Sequence, residues 1–223
     1  MPLGSLETVD LGFDCDSICK KILENKKHWI ERKNSFYTFG AASYLDNKME
    51  YFLRKRKSNP ILKSLFSDIY EKIADHFNAE LNDELAYPGF HIFDIRSKNN
   101  EARIHIDDQY EELPFDSDNL SEPKSFTIAF KKPKGGCGLN YWPNIDLQGT
   151  KSENRCKESD LNRGLEEKPS YVEYKLGIMY VHNRHILHQI ANKRIVDEYE
   201  QRITLQGHVI KDNGNNGKNY IYF

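Results

Sequence analysis

Two stretches, Phe90-His-Ile-Phe-Asp-Ile95 and Ala102-Arg-Ile-His-Ile-Asp107, decide the fold of this chain. Apolar and polar side chains alternate throughout the second stretch and over the first three residues of the first, which is the period of a β-strand with one buried face. The turn-forming residues Lys98-Asn99-Asn100 lie between them, so we expect an antiparallel pair. Because side chains two apart in a strand point the same way, His105 and Asp107 can offer an imidazole and a carboxylate to one metal ion.

Further short strands are predicted downstream, separated by polar, turn-rich connections. They are Ser125 to Phe130, Leu139 to Trp142, Tyr171 to Lys175, Ile178 to His182, His188 to Ala191, Arg202 to Ile210 and Asn219 to Phe223. Many short strands joined by long polar loops predict a mainly β fold, a jelly-roll or double-stranded β-helix barrel.

Two helices are predicted before the strands, and we expect them to pack on the outer face of one sheet. The first would be capped by Asp14 or Asp16 and would run as far as Trp29, with apolar residues at helical spacing. The second would open at Asn59-Pro60 and end at Leu81, because proline is favoured in the first turn of a helix.

The chain is expected to form a single domain over residues 1–223. Within it, residues 13–86 would be a helical support region and residues 90–223 the jelly-roll core. Residues 1–5, Met-Pro-Leu-Gly-Ser, are expected to be a cloning remnant, since they lack the apolar core of a signal peptide.

Composition gives expectations about partners and location. The net charge is −2 and no apolar run reaches the length of a membrane span, so neither nucleic acid nor a membrane is an expected partner. Free thiols are expected at all four cysteines, which fits a reducing, cytoplasmic location. They are Cys15, Cys19, Cys137 and Cys156. The oligomeric state stays open.

His188 is the preferred second imidazole for the metal. It directly precedes Gln189-Ile190 at the start of a predicted strand. His182 and His185 compete for the same role, and the face on which His182 lies is uncertain. His188 is favoured over both because it lies fourteen residues before Arg202, a candidate acid-binding residue that is described next.

Arg202 and Thr204 share one face of a predicted strand. A guanidinium held there could bind an acid through two parallel charge-assisted hydrogen bonds. The alternative is a surface arginine that pairs with Glu198 or Glu200.

The order His105-x-Asp107, His188, then Arg202 with Thr204 resembles the iron(II)/2-oxoglutarate-dependent oxygenases, over about residues 90–210. The stretch Gly177-Ile-Met-Tyr-Val-His-Asn-Arg-His-Ile-Leu-His188 is similar to the family's strand, turn and strand before its distal histidine. The resemblance implies iron(II) bound by the two histidines and the aspartate, and 2-oxoglutarate bound by the arginine and threonine. It also implies dioxygen as cosubstrate, and hydroxylation, desaturation or cyclisation of a small molecule.

Substrate contacts are assigned to Arg103, Asn140 and Trp142, on strands expected to border the metal. The alternatives are a rim charge for the arginine and core packing for the aromatic side chain. An amino acid or a natural-product intermediate is the preferred substrate class. The charged stretch 143–170 is predicted to be a lid over the site, with a solvated insertion as the alternative.

Two other functions stay open at this point. One is a cupin-like metal enzyme that does not use 2-oxoglutarate, such as a dioxygenase or an isomerase. The other is a barrel without activity that serves as a binding module. Succinate release from 2-oxoglutarate separates the oxygenase from both.

Overall fold

The computed structural model describes residues 6–32, 36–94, 104–107, 110, 113–145, 166–183, 186–191 and 200–223. The strands in these ranges are β1 (Leu6–Asp10), β2 (Ile30–Glu31), β3 (Phe36–Phe39), β4 (Ala79–Leu81), β5 (Gly89–Asp94), β6 (Leu120–Lys131), β7 (Gly138–Trp142), β8 (Ser170–Glu173), β9 (Ile178–Asn183), β10 (Leu187–Ile190), β11 (Gln201–Asp212) and β12 (Lys218–Tyr222). The helices are α1 (Cys15–Glu24) and α2 (Lys48–Phe77), with short 3₁₀ turns at Lys26–His28, Ser117–Asn119 and Asn213–Asn215.

The larger sheet has the strand order β1-β9-β6-β11-β5-β3-β2, and β12 joins β11 to β4. Its pairs are antiparallel except β12 with β4. In β11, Ile203 and Leu205 belong to the main apolar core. Arg202 and Thr204 alternate with them and therefore project from the opposite face of the sheet.

The smaller sheet has the order β10-β7-β8, and an isolated bridge between His105 and His188 extends it by one segment. Leu139 of this sheet packs in one apolar cluster with Ala129 and Tyr180 of the larger sheet. The two sheets therefore face each other, and the polar face of β11 lies on the side between them.

The helices pack on the other face of the larger sheet. Ile22 of α1 and Phe66 of α2 share the main core with Ile203 of β11. The Asp14 side chain caps α1 by accepting from the Ser17 N–H. The opposite face of the sheet, from which Arg202 and Thr204 project, is therefore not covered by the helices.

The coarse prediction of a mainly β fold with large antiparallel sheets is confirmed, and the arrangement is consistent with a jelly roll. The second helix was placed wrongly. It begins at Lys48 after an Asn47–Glu50 capping box, Pro60 lies inside it, and it is kinked at Phe66, where the backbone angles are not helical. It ends at Phe77, so Leu81 belongs to β4.

The first helix is shorter than expected, since α1 ends at Glu24 and a separate 3₁₀ turn precedes Trp29. The expected antiparallel pairing of 90–95 with 102–107 is wrong, because β5 pairs with β3 and β11 in the larger sheet. The segment 102–107 is described only from residue 104, where His105 forms an isolated bridge to His188 of the smaller sheet. Free thiols are found at the three described cysteines, Cys15, Cys19 and Cys137. None of the described helices is both long enough and apolar enough to cross a membrane.

Candidate functional site

His105, Asp107 and His188 come together at one edge of the smaller sheet. The backbone N–H of each histidine donates to the carbonyl of the other at 2.9 Å, so the two side chains start side by side. The Asp107 carboxylate lies 3.8 Å from Nε2 of His105 and 3.6 Å from Nε2 of His188. All three ligand atoms lie within 4.8 Å of one another, which is close enough for them to share a metal ion.

His188 is held in the tautomer that a metal ligand needs. Its Nδ1 lies 2.9 Å from the Ile186 carbonyl, to which Nδ1–H donates, and this leaves the lone pair of Nε2 for a metal. Burial lowers the pKa of His188 to about 3, despite the opposing charge of Asp107. The imidazole is therefore neutral at ordinary pH.

Asp107 is ionised although it is buried. Burial alone would raise the pKa of this carboxyl, but the surrounding imidazoles outweigh it and hold the pKa far below its ordinary value. Those imidazoles are His188, His208, His105 and His182. An ionised carboxylate is the form in which Asp107 would bind a metal.

His182 lies next to this group without belonging to it. Its Nε2 is 4.0 Å from Asp107, and its ring centroid is 4.5 Å from that of His188. The three-residue group contains His188 and not His182. His185, the other competitor, lies outside the described residues.

Arg202 is fully buried, with 0% of its surface exposed. Its guanidinium carbon lies over the rings of Phe93 and Tyr174, at 5.5 and 5.9 Å from their centroids. Among the described residues, none of its three guanidinium nitrogens has a hydrogen-bond partner. A buried cation is costly to fold without a partner, so this group requires an anion.

The alternative of a surface arginine is wrong. Arg202 is not at the surface, and Glu200 instead accepts from the Lys134 backbone N–H at 3.0 Å. Glu198 lies outside the described residues. The buried hydroxyl of Thr204 also lacks a partner in the described part of the chain. Arginine and threonine thus present unused hydrogen-bonding groups on one strand face.

Tyr44 and His91 border this region. His91 pairs with Thr204 across β5 and β11, so the two share a face. The Tyr44 hydroxyl lies 3.1 Å from Nε2 of His91. Burial lowers the pKa of His91 to about 3, and the charge of Arg202 adds to the effect, so His91 stays neutral.

The assignment of Asn140 and Trp142 to the substrate site needs correction. Trp142 pairs with Leu187 and Asn140 pairs with Gln189, so both lie on the sheet face opposite to His188. The Trp142 ring is buried in a separate apolar cluster, and its Nε1–H donates to the Glu167 carbonyl at 2.8 Å. Core packing, the alternative reading of the aromatic side chain, is what the structure shows for Trp142.

Tyr141 is the residue of β7 that shares the His188 face, since the two are directly paired. It packs against the cluster between the two sheets. Alternation along β7 indicated two faces but not which one is inside. Arg103 and residues 146–165 of the expected lid lie outside the described residues.

His208 was missed by sequence reasoning although a signal was present. It follows Arg202 and Thr204 at even spacing on β11, and it pairs with Ser125, which in turn pairs with His182. Its Nδ1 lies 2.9 Å from the Ser125 hydroxyl. Extending the period-2 argument along β11 would have placed it on the site face.

Comparison with known proteins shows the fold. No family model matches the chain, and no curated protein does. A solved structure of the non-heme alpha ketoglutarate dependent carbocyclase SnoK from nogalamycin biosynthesis matches with a TM-score of 0.52 and 12% identity. The match covers 98% of this chain and 92% of the other.

An N-substituted L-amino acid dioxygenase from Burkholderia ambifaria AMMD matches with a TM-score of 0.50 and 13% identity, over 82% of this chain and 72% of the other. The same enzyme solved in complex with alpha-KG, which is 2-oxoglutarate, also matches at 0.50. At these identities the likeness concerns the fold. The resemblance to iron(II)/2-oxoglutarate-dependent oxygenases is confirmed at that level.

Proposed function

We propose that this chain is an iron(II)- and 2-oxoglutarate-dependent oxygenase that acts on a small molecule. The observation that carries the proposal is the fully buried guanidinium of Arg202, which has no partner among the described residues. The His-Asp-His group of residues 105, 107 and 188 supports it. The names of the two compared enzymes, a carbocyclase and a dioxygenase, support the same class.

The donor set fits iron(II). His105 and His188 offer imidazole nitrogen and Asp107 offers carboxylate oxygen, which is the two-histidine, one-carboxylate face that leaves positions open on that metal. The hydrogen bond from His188 to Ile186 would fix the ring orientation. When bound, iron(II) with 2-oxoglutarate and dioxygen would supply the oxidising chemistry that protein side chains lack.

The region around Arg202 fits the cosubstrate. The planar guanidinium can donate two parallel hydrogen bonds to the far carboxylate of 2-oxoglutarate, and the Thr204 hydroxyl can donate a third. Phe93 and Tyr174 cover the guanidinium and exclude water from it. Low local polarity strengthens each of these bonds.

The substrate would enter between the two sheets, which we interpret as a double-stranded β-helix with the helices on its outer face. Tyr141 and His208 are the described residues that we assign to its walls. Arg103 stays a candidate for an anionic substrate group. Hydroxylation, desaturation or cyclisation of an amino acid or a natural-product intermediate is the proposed range of outcomes.

The test is release of succinate from 2-oxoglutarate by protein reconstituted with iron(II) in air. We expect turnover that requires the metal and is lost in His105→Ala, Asp107→Ala and His188→Ala, each of which should keep the circular dichroism of the wild type. Binding of 2-oxoglutarate can be measured separately, by calorimetry on the nickel(II) protein, which does not turn over.

Absence of both binding and turnover would overturn the proposal and favour a binding module. Metal binding without 2-oxoglutarate binding would favour a cupin-like enzyme of other chemistry. Because binding and turnover are measured separately, a missing substrate cannot be mistaken for a missing cosubstrate site.

A further inference from the structure

An apolar surface is exposed at the start of α2. Among the described residues, seven large hydrophobic ones are exposed, and five of them lie between residues 44 and 53. Met49, Phe52 and Leu53 are 67%, 51% and 56% exposed, and their spacing puts them on one face of the helix. We name these three residues the apolar helix face. Such clustering on a monomer surface marks an interaction site.

In the first part of α2, residues 48–60, polar side chains are buried and large apolar ones are exposed, which is the opposite of an ordinary amphipathic helix. Its inward side carries the polar residues Ser58 and Asn59, both buried. The Asn59 amide donates to the Leu85 carbonyl at 2.7 Å and its oxygen accepts from the Tyr87 N–H at 3.1 Å. Polar contacts therefore hold the helix in place, and the apolar helix face is left outside the core.

Basic residues border the apolar helix face. Lys48, Arg56 and Lys57 are exposed, and Nζ of Lys55 lies 5.6 Å from the Phe52 ring centroid. Residues 48–57 contain five basic side chains and one acidic one, a local charge of 5 − 1 = +4 in a chain whose net charge is −2.

The one acidic side chain of this segment, Glu50, is partnered by Arg54 at 3.7 Å. Lys and Arg beside exposed Phe, Leu and Met are typical of helices that lie in the interface of anionic membranes.

The apolar helix face is joined to the wall of the site. Asp46 forms ion pairs with Arg54 of α2 and with Arg32, and this fixes the segment that carries Tyr44. Tyr44 is 52% exposed, and its hydroxyl end contacts the buried ring of His91. Contact at the helix would thus be made beside the site.

We propose that the apolar helix face and its basic border dock this protein on the surface of an anionic lipid bilayer. The apolar side chains would enter the boundary between headgroups and acyl chains, and the exposed lysines and arginine would face the anionic headgroups. This is peripheral binding, which needs no membrane-spanning helix, and it replaces the expectation from overall charge and apolar run length that a membrane is not a partner. It does not depend on the proposed oxygenase function.

The experiment is flotation of the full chain with vesicles of phosphatidylcholine and phosphatidylserine, and with vesicles of phosphatidylcholine alone. We expect binding to the anionic vesicles and a fall in binding as salt is raised. The double variants Phe52→Ser/Leu53→Ser and Arg56→Glu/Lys57→Glu should each bind at least about tenfold more weakly.

The matched control is Tyr171→Ser/Leu176→Ser, which removes the two exposed hydrophobic residues that lie elsewhere on the described surface. It should bind like the wild type, and all variants should keep the wild-type thermal transition. The proposal is overturned if the wild type does not prefer anionic vesicles, or if the control loses as much binding as the helix variants. Failure to bind vesicles would leave an acidic protein as the remaining kind of partner for this surface.

Discussion

Arg202→Met should weaken 2-oxoglutarate binding without destabilising the fold. In the ligand-free protein the arginine is a buried cation without a hydrogen-bond partner in the described chain. Methionine has a similar length and keeps packing against the rings of Phe93 and Tyr174. Because replacing an unpaired buried charge with an apolar group removes a cost, the melting temperature of the ligand-free variant should stay the same or rise.

The response to 2-oxoglutarate should change much more. Losing a bidentate charged hydrogen bond costs about 1.5–3 kcal/mol, which weakens binding roughly ten- to a hundredfold. At a ligand concentration about 100 times the dissociation constant, the wild type gains about 2.7 kcal/mol of stability. The Arg202→Met variant at that concentration gains only about 0.4–1.4 kcal/mol.

For a domain of this length, 1 kcal/mol corresponds to about 2–4 °C in melting temperature. The wild-type shift should therefore be about 5–11 °C, and that of Arg202→Met about 1–6 °C, by scanning fluorimetry on nickel(II) protein. Arg202→Lys keeps the charge but not the fork of donors, so its shift should be intermediate.

Arg32→Met is the matched control, because Arg32 is also a buried arginine but is paired with Asp46. It should lower the melting temperature of the ligand-free protein and leave the 2-oxoglutarate shift intact. The reasoning is refuted if Arg202→Met keeps the full wild-type shift. It is also refuted if Arg202→Met destabilises the ligand-free protein as much as Arg32→Met does.

Three further predictions test the surroundings of the site. Burial raises the pKa of Asp46, but its bonds from Arg32 and the Ala42 N–H lower it more, so the net pKa lies below its ordinary value. A carboxyl whose pKa is lower in the folded than in the unfolded protein stabilises the fold at pH values above its unfolded pKa. This stabilisation is lost as the pH falls. Asp46→Asn should therefore cost about 3 kcal/mol in urea unfolding at neutral pH, and the difference from wild type should shrink below about pH 4. In calorimetry with nickel(II), His188→Ala should abolish binding, whereas His182→Ala should weaken it about ten- to a hundredfold; the opposite order would make His182 the ligand. Tyr141→Ala should reduce turnover with little loss of stability, and Trp142→Ala should cost about 3–5 kcal/mol of unfolding free energy without changing 2-oxoglutarate affinity. Loss of turnover in a fully stable Trp142→Ala protein would contradict the faces assigned to β7.

The strands of the second half could be predicted because their sequence carries the pattern locally. Short runs rich in aromatic and β-branched residues mark β5 and β9 within a residue or two of their ends. The strands β1 and β4 lack such a signal, because they form by pairing with distant segments. β1 pairs with β9 and β4 pairs with β12, so only the assembled sheet defines them.

The start of α2 differs from the prediction because the sequence carries two competing start signals, Pro60 and a helix cap. Pro60 lacks an N–H, and proline is common in a first turn, so it predicts a helix start there. The Asn47–Glu50 capping box is also visible in the sequence and gives the true start. Sequence alone does not show that the helix continues through the proline, where the buried side chain of Leu62 packs in the main core, or that it is kinked further on, at Phe66.

The faces of β7 could not be assigned because Tyr141 and Trp142 are both aromatic. Which of the two faces the interior depends on the pairing register of β7 with its neighbouring strands, and the sequence of β7 alone does not specify that register. Gly138 pairs with Glu173, and a Cβ on Gly138 would lie 2.1 Å from the Val172 carbonyl oxygen. Only glycine permits that approach of β8, so Gly138 is required for the pairing on one side of β7, and the pairing with β10 on the other side places Tyr141 opposite His188.

Burial and pairing together distinguish a structural charge from a binding charge in this protein. The Asp46 side chain and Arg202 are both fully buried. Asp46 receives two arginines and a backbone N–H, so its charge is satisfied by the fold itself. Arg202 has two aromatic rings around it and no hydrogen-bond partner among the described residues. Folding satisfies the first charge, whereas the second has no partner in the described part of the chain, and we propose that a ligand supplies it.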